Sequence, residues 1–297
     1  MSSTNSKLTR VADNIRILSA AMVEKAKSGH PGGAMGGADF VTVLYTEFLR
    51  YDPDNMAYPY RDRFFLDPGH MSPMLYSVLS LAGYYTTEDL QSLRQWGSVT
   101  PGHPEVDVMR GVENTSGPLG QGHAMALGAA IAERFMAHKT YAYISDGAVE
   151  EEISQGVGRI AGHLGLSNFI MYYDSNNIQL STKVDEVDTE NVAMKYEAWG
   201  WNVLSVDGHN INEIREALVA ANSETERPTL IIGHTVMGKG ARTTDGGSFE
   251  DKVSTHGQPL TAAGADFAVT VKNLGGDPEN PFSVFDESRE AFAERRE

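Results

Sequence analysis

Apolar residues along this chain follow two spacings, one typical of helices and the other typical of buried strands. Near the start they recur every three or four positions, which predicts an amphipathic helix over residues 8–27. Short apolar runs between turn residues predict five strands, at 63–67, 140–145, 168–173, 201–206 and 228–234. Helical patterns separate these strands. The alternation predicts an α/β fold, a doubly wound and mostly parallel sheet with helices on both faces.

The domain organisation follows from length and from one change in composition. A chain of 297 residues can bury a large core, and we predict that residues 1–273 form one domain. Glycine and proline between 274 and 282 indicate a linker, and the charged tail after it predicts a helix. Residues 274–297 are therefore predicted to be a linker and a C-terminal helical arm.

Charge and composition exclude several classes of partner. The net charge of -16 argues against nucleic acid and anionic membranes as partners. The absence of cysteine excludes a disulfide framework and a thiolate metal site. No apolar run approaches the length of a membrane span, and the N-terminal residues lack a signal-peptide core. These features predict a soluble, cytoplasmic protein.

Two polar residues follow neighbouring predicted strands. Asp146 and Asn176 lie thirty residues apart, about one strand-helix-strand unit, so both should lie at the carboxyl edge of the sheet. Carboxylate and amide oxygens, with a nearby backbone carbonyl, make a sparse site that suits magnesium bound through a ligand's diphosphate. Taken alone, the Asp-Gly and Asn-Asn steps are more typical of simple turns than of a metal site.

Three segments are predicted to form loops that approach a ligand. Residues 29–37 contain five glycines, a composition that predicts a loop rather than a helix or strand. The connection over 97–121 is long for a compact domain, and such loops are usually functional. Residues 235–257 are rich in glycine and carry basic residues, and we interpret them as an active-site loop or lid.

Histidines recur in loops bounded by glycine or proline. His30, His70, His103 and His256 occupy such loops, where a neutral imidazole can both donate and accept hydrogen bonds. His123, His163 and His209 lie in or beside predicted helices and turns, and they are expected to be structural. The sequence alone leaves a functional and a structural role open for the first four.

Six motifs occur in an order that resembles the diphosphate-binding half of transketolase. The resemblance extends from about residue 10 to residue 260. The motifs are Ser28-Gly-His-Pro-Gly32, Gly69-His70, Thr100-Pro-Gly-His-Pro-Glu105, Gly117-Pro-Leu-Gly-Gln-Gly122, Ser145-Asp-Gly147 with Asn176, and Ser254-Thr-His-Gly257.

The resemblance implies a cofactor and a role for each site residue. Asp146, Asn176 and the carbonyl of Ile178 would hold Mg²⁺, or Ca²⁺ or Mn²⁺ in its place. Residues that would contact thiamine diphosphate are His70, Gly117, Pro118, Leu119, Gly147, Glu151 and His256. The catalytic residues implied are His30, His103 and His256, which would face the thiazolium carbon and the sugar and move protons.

The activity implied is that of the pentose phosphate pathway enzyme, the transfer of a two-carbon ketol unit from a ketose phosphate to an aldose phosphate. The chain departs from the family at Ser145, where a glycine is usual, and at Gly156, where a second acid is usual. Full transketolases continue beyond the length of this chain. We therefore expect a subunit or a separated piece that is inactive without a C-terminal transketolase subunit, assembled as a dimer of heterodimers.

Three other functions remain open at this stage. The alpha subunit of a 2-oxo acid dehydrogenase shares the metal motif but is not expected to carry these Gly-His loops. A dinucleotide-binding oxidoreductase needs a glycine fingerprint directly after a strand, whereas Gly117 to Gly122 follows a loop. A non-catalytic paralogue could retain the fold without the reaction.

Overall fold

A computed structural model describes residues 3–55, 58–136 and 138–296 of the chain. Its centre is a single sheet of five strands, all parallel, in the order β1-β2-β3-β5-β4. The strands are β1 (Arg63–Leu66), β2 (Thr140–Ser145), β3 (Phe169–Ser175), β4 (Asn202–Asp207) and β5 (Thr229–His234). All five lie where the apolar runs predict them, within one or two residues at each end.

Helices connect the strands and cover the sheet. They are α1 (Ser3–Ala26), α2 (Pro31–Gly36), α3 (Ala38–Val43), α4 (Ser72–Ala82), α5 (Thr87–Leu90), α6 (Gln121–Glu133), α7 (Asp146–Glu150), α8 (Glu152–Leu164), α9 (Val192–Ala198), α10 (Ile211–Ser223), α11 (Leu260–Ala263), α12 (Phe267–Asn273) and α13 (Asp286–Arg296). A π-helical turn over Leu44–Phe48 continues α3. None of the helices within the described ranges combines the length and the apolarity needed to cross a bilayer.

Side chains of each strand alternate between two cores on opposite faces of the sheet. In β2, Tyr141 and Tyr143 join the core built with α1, α3, α4 and α10. Ala142 and Ile144 point the other way, into a core shared with α6, α8 and α9. Because both faces are buried, β2 is apolar along almost its whole length. The predicted fold class, a doubly wound parallel sheet with helices on both faces, is confirmed.

The prediction that residues 29–37 form a loop is wrong, because Pro31–Gly36 is a buried helix. Pro31 supplies the fixed backbone angle that suits the first helical position. The glycines serve close packing instead of flexibility. A Cβ added to Gly32 would lie 2.4 Å from the sulfur of Met237 and 2.6 Å from the backbone oxygen of Thr255.

The C-terminal segment lies against the first helix. Helix α13 packs on α1 and α4, and the side chain of Asn14 ties the segment down. Its Oδ1 accepts hydrogen bonds of 3.0 Å from the N–H of Phe285 and the hydroxyl of Ser288. The division of the chain at residue 273 stays a prediction, and Glu297, the end of the predicted arm, lies outside the described residues.

Candidate functional site

A cavity of about 470 Å³ opens at the carboxyl edge of the sheet. It is assembled from loops after β1, β2, β3 and β5, together with the start of the α2 segment. Ten residues predicted as site residues line it: His30, His70, His103, Gly117, Leu119, Asp146, Gly147, Asn176, Ile178 and His256. Ligands of doubly wound sheets bind at this edge, so the position agrees with the fold.

Asp146 and Asn176 lie together at the ends of β2 and β3, which pair directly in the sheet. The backbone N–H of Asn176 donates a 3.2 Å hydrogen bond to Oδ2 of Asp146, and the hydroxyl of Tyr173 donates a 2.5 Å bond to Oδ1. Oδ1 of Asn176 accepts a 3.0 Å bond from the N–H of Ile178. The juxtaposition expected from their thirty-residue separation is present.

The carboxylate of Asp146 lacks a compensating charge. Burial raises the pKa of Asp146 to about 7, and the carboxylates of Asp174 and Glu150 act in the same direction. Within the described residues, no Lys, Arg or His forms an ion pair with it. In the part of the chain that the structure describes, no three His, Asp or Glu side chains converge there as a protein-only metal cage. These oxygens suit a cation whose remaining ligands come from a bound molecule.

Three histidine rings form a cluster in the same cavity. The ring centroids of His30 and His70 are 4.9 Å apart, those of His70 and His256 are 5.3 Å apart, and those of His30 and His256 are 5.7 Å apart. Burial lowers the pKa of His30 to about 4 and that of His70 well below its ordinary value. Burial also lowers the pKa of His256, although a hydrogen bond to the backbone of Ile178 opposes it.

Neutral rings have one donor and one acceptor nitrogen each. Near pH 7 the lowered pKa values keep these three imidazoles neutral, so each can both give and take a proton. Nδ1 of His30 and Nδ1 of His256 are buried without a hydrogen-bond partner in the described part of the chain. Unpaired buried nitrogens of this kind are free to contact a bound ligand.

His103 lies at the edge of the cavity and is exposed to solvent. Partial burial and the charge of Arg94 lower its pKa. It also lines a second, more open cavity of about 670 Å³ beside the first. His103 therefore stands where a molecule that reaches the histidine cluster from solvent would pass.

The loop over residues 114–122 is held by Asp67, at the end of β1. Its carboxylate accepts hydrogen bonds from the N–H of Gly120 at 2.9 Å and from the N–H of His123 at 2.8 Å. The hydroxyl of Ser116 donates to the carbonyl of Asp67. These bonds fix the loop at the cavity. In the sequence Asp67 stands out only as the end of a predicted strand, and no local pattern indicates this role.

The same loop offers backbone to the cavity. Gly117 and Leu119 line it, and their N–H groups donate no hydrogen bond within the described ranges. A Cβ on Gly117 would meet nothing within 4 Å, whereas one on Gly147 would lie 3.0 Å from Leu119. Pro118 is exposed and does not line the cavity.

Glu151 also lies outside the cavity. It stands exposed between α7 and α8, where the backbone turns from one helix to the next. The structure therefore does not bring Glu151 and Pro118 to the site formed by the other ten residues. Their contacts with a cofactor stay predictions.

Asp174 is a second residue whose role is not predicted from the sequence. It lies near the end of β3, below the site. It is fully buried in β3, where the hydroxyl of Tyr143 donates a 2.7 Å bond to it. The hydroxyl of Thr235, directly after β5, donates to its other oxygen. Asp174 thus links the ends of three adjacent strands. A charged residue inside an otherwise apolar run was the available signal.

The segment over 235–257, predicted as an active-site loop, does reach the cavity. It contributes Met237 and His256 to the lining. The N–H of Gly238 donates a 2.9 Å bond to the carbonyl of Gly32, which ties the segment to α2. His209, predicted to be structural, accepts at Nε2 from the N–H of Val236 at 2.9 Å and donates from Nδ1 to Asp39 at 2.8 Å.

Comparison with known proteins gives one consistent family. The family model for the transketolase thiamine diphosphate binding domain matches residues 7–297. The chain is 46% identical to the transketolase of Geobacillus stearothermophilus, over 84% of this chain and 38% of that protein. It is 41% identical to the transketolase of Staphylococcus aureus strain MW2, over 97% of this chain and 44% of that protein.

A solved structure agrees with these sequence matches. The high-resolution crystal structure of transketolase from Campylobacter jejuni superposes with a TM-score of 0.90 at 40% identity. That match covers 98% of this chain and 46% of the other. The chain therefore spans less than half the length of the transketolases it matches. By sequence, by fold and by the residues that meet at the sheet edge, it belongs to the transketolase family, as an N-terminal thiamine diphosphate-binding domain.

Proposed function

We propose that this chain is the diphosphate-binding half of a transketolase and that it binds thiamine diphosphate together with Mg²⁺, or with Ca²⁺ or Mn²⁺ in its place. The side chains of Asp146 and Asn176 and the carbonyl of Ile178 would hold the ion. The observation that carries the proposal is the buried carboxylate of Asp146, which has a raised pKa and no cationic partner among the described residues. A divalent ion supplies the missing charge.

The other contacts of the cofactor follow the lining of the cavity. The free N–H groups of Gly117 and Leu119 suit the oxygens of a diphosphate, since backbone donors bind anions without adding side-chain bulk. Gly147 leaves room for the cofactor, and His70 would donate a hydrogen bond to it. His256 would reach it from the segment over 235–257. The family resemblance adds Pro118 and Glu151 to this set.

The bound cofactor supplies the electron sink that lets a bond between two carbons of a sugar break. The protein's part is to orient the sugar and to move protons. His30, His103 and His256 would hydrogen-bond the hydroxyls of a ketose phosphate. As the C2–C3 bond breaks, a neutral imidazole accepts the proton of the C3 hydroxyl, and it returns a proton when an aldose phosphate receives the ketol unit.

The proposal includes a partner. The transketolases that match are more than twice the length of the aligned region, so the complementary segment would carry the pyrimidine-binding and C-terminal domains. We propose that activity requires it, whether as part of the same polypeptide or as a second subunit in a dimer of heterodimers. The proposed setting is the pentose phosphate pathway in the cytoplasm.

Isothermal calorimetry tests the cofactor proposal. The chain is titrated with thiamine diphosphate in MgCl₂, in CaCl₂, in MnCl₂ and in EDTA, each with and without the complementary half of a transketolase. Binding is expected only where a divalent ion is present, and Asp146→Ala should abolish it. Glu197→Gln, an exposed carboxylate on α9, serves as the matched control and should bind normally. Flat titrations in every arm would refute the proposal.

Turnover tests the reaction itself. With the complementary half present, xylulose 5-phosphate and ribose 5-phosphate should be converted, and without it they should not. Decarboxylation of pyruvate in the same mixture would instead favour a 2-oxo acid dehydrogenase type of reaction. Cofactor binding with no turnover of either kind would identify a non-catalytic relative.

A further inference from the structure

The side chain of Arg94 joins the two loops that carry His30 and His103. Its Nη1 donates a 3.1 Å hydrogen bond to the hydroxyl of Ser28, two residues before His30. Its guanidinium also packs on Gly102, the residue before His103. A Cβ on Gly102 would lie 2.8 Å from Nε of Arg94 and 3.0 Å from Cζ. A side chain at position 102 would therefore displace the guanidinium of Arg94 from this position.

The backbone of Arg94 is fixed in an unusual conformation. Its φ of 61° lies in the left-handed region, which non-glycine residues adopt rarely and only where their surroundings hold them. Here the N–H of Arg94 donates a 3.1 Å bond to the carbonyl of Thr100. The hydroxyl of Thr100 in turn donates a 2.9 Å bond to the carbonyl of Asp89, at α5. These bonds fix the backbone from which the side chain extends to Ser28 and Gly102.

The charge of Arg94 is not neutralised by an acid. Within the described residues, no Asp or Glu oxygen lies within 4.0 Å of its guanidinium nitrogens, and Nε is buried without a hydrogen-bond partner. Glu105 and Asp107 line the same outer cavity but form no ion pair with it. Burial is the main cause of the lowered pKa of His103, and the uncompensated charge of Arg94 adds to it. For His30 burial again comes first, followed by His256 and then by Arg94.

We propose that Arg94 is a positioning residue of the proposed active site, which holds the loops of His30 and His103 together and adds a positive charge that favours the neutral form of both imidazoles. The inference rests on the proposed function only for its catalytic meaning. Arg94 would act through the two histidines. The groups facing His30 are Arg94, His70, His256 and His103. Those near His103 are Arg94, His30, His70, Glu105 and Asp107.

Histidine titration by NMR tests the proposed role of Arg94 without any cofactor. The chain is labelled at histidine Cε1 and titrated from pH 3 to pH 8, a range that includes the pKa of about 4 of His30. Signals are assigned with His30→Gln and His103→Gln. Arg94→Met removes the positive charge, so the titration of His30 and of His103 should move to higher pH. Arg94→Lys keeps the charge and should leave both close to the wild-type positions. Arg94→Gln replaces Arg94→Met if that variant does not fold.

The matched control is Arg159→Met, at an exposed arginine of α8. Its histidine titrations should coincide with the wild type. Unchanged titrations in Arg94→Met, or an equal movement in Arg159→Met, would overturn the inference. If the role of Arg94 were purely structural, Arg94→Met and Arg94→Lys would have similarly lowered melting temperatures. The titrations of His30 and His103 would then not return to their wild-type positions in Arg94→Lys alone.

A second readout uses the complex with the complementary half. The low-pH limb of kcat/KM should move to higher pH in Arg94→Met, because protonated imidazole can no longer accept a proton. At neutral pH, kcat/KM should fall about tenfold in Arg94→Met and recover in Arg94→Lys. An unshifted limb would count against the inference. If the complex shows no ketol transfer at all, the proposed function fails, and the NMR titration still decides the role of Arg94.

Discussion

Tyr173 donates its hydroxyl proton to Oδ1 of Asp146 at 2.5 Å, from the strand next to the one that Asp146 follows. This bond stabilises the charged form of Asp146, yet burial still raises the pKa of Asp146 from 3.8 to about 7. The charged form of the carboxylate therefore costs free energy in this position, and the proposed cation would offset that cost. Sites that bind metal through a ligand's phosphates have this character.

The first prediction concerns stability without metal. Because the pKa of Asp146 is higher in the folded state than in the unfolded state, its contribution makes the folded chain less stable as pH rises from about 4 to about 7. Asp146→Asn removes that contribution. Between pH 4 and pH 7.5, the unfolding free energy of the variant relative to that of the wild type should increase by up to about 4 kcal/mol. Urea denaturation in EDTA measures both unfolding free energies.

The histidine cluster acts in the opposite direction, since its lowered pKa values favour folding as pH rises. It is present in both proteins, so it cancels in the comparison. Parallel pH profiles for the wild type and Asp146→Asn would contradict the prediction.

The second prediction concerns the coenzyme as a stabiliser. At a concentration 100 times its dissociation constant, a ligand that binds only the folded chain stabilises it by about 2.7 kcal/mol. Thiamine diphosphate with MgCl₂ should therefore raise the melting temperature of the wild type by several degrees. Asp146→Asn should show no such rise, and neither protein should respond to thiamine diphosphate in EDTA. A shift of equal size in Asp146→Asn would exclude Asp146 from the ion site.

The third prediction concerns Asp67 and the loop over 114–122. Asp67→Asn replaces one acceptor oxygen by an amide donor, so an N–H of Gly120 or His123 loses its buried partner. We expect a loss of about 1–3 kcal/mol in unfolding free energy and weaker cofactor binding. Asp277→Asn, at an exposed site outside the cavity, is the control. Unaltered binding would show that the loop keeps its place without Asp67.

The fourth prediction concerns two helical glycines with opposite surroundings. Gly32→Ala would force a Cβ against Met237 and the backbone of Thr255. It should lower the unfolding free energy by about 1–3 kcal/mol and displace the segment that carries His256. A Cβ added to Gly128, in α6, would have no neighbouring atom within 4 Å. Gly128→Ala should stabilise the chain by about 0.5–1 kcal/mol. Equal effects of the two substitutions would contradict the packing described for α2.

Much of the site could be predicted because its residues follow strands. Asp146 and Asn176 come directly after apolar runs, and parallel strands bring such positions to one edge. The histidine loops could be predicted from their glycine and proline neighbours, and the collinear motifs added the identity of the ligand.

Asp67 and Asp174 were missed for a different physical reason. Each acts through hydrogen bonds to segments far along the chain, Asp67 to Gly120 and Asp174 to Tyr143 and Thr235. Local pattern contains no information on such partners. The helix over Pro31–Gly36 was missed because glycine has a poor helix propensity, and tertiary packing overrides that propensity where only a hydrogen atom fits.

The cavity is lined by segments spread between residues 30 and 256. None of these segments forms a ligand site by itself. A folding intermediate with part of the sheet would lack one wall or another, so coenzyme affinity should emerge only at the last stage of folding. Contacts of such long sequence separation form slowly. During refolding, coenzyme binding would therefore appear only when the native topology is complete. The circular dichroism signal of the helices would appear much earlier.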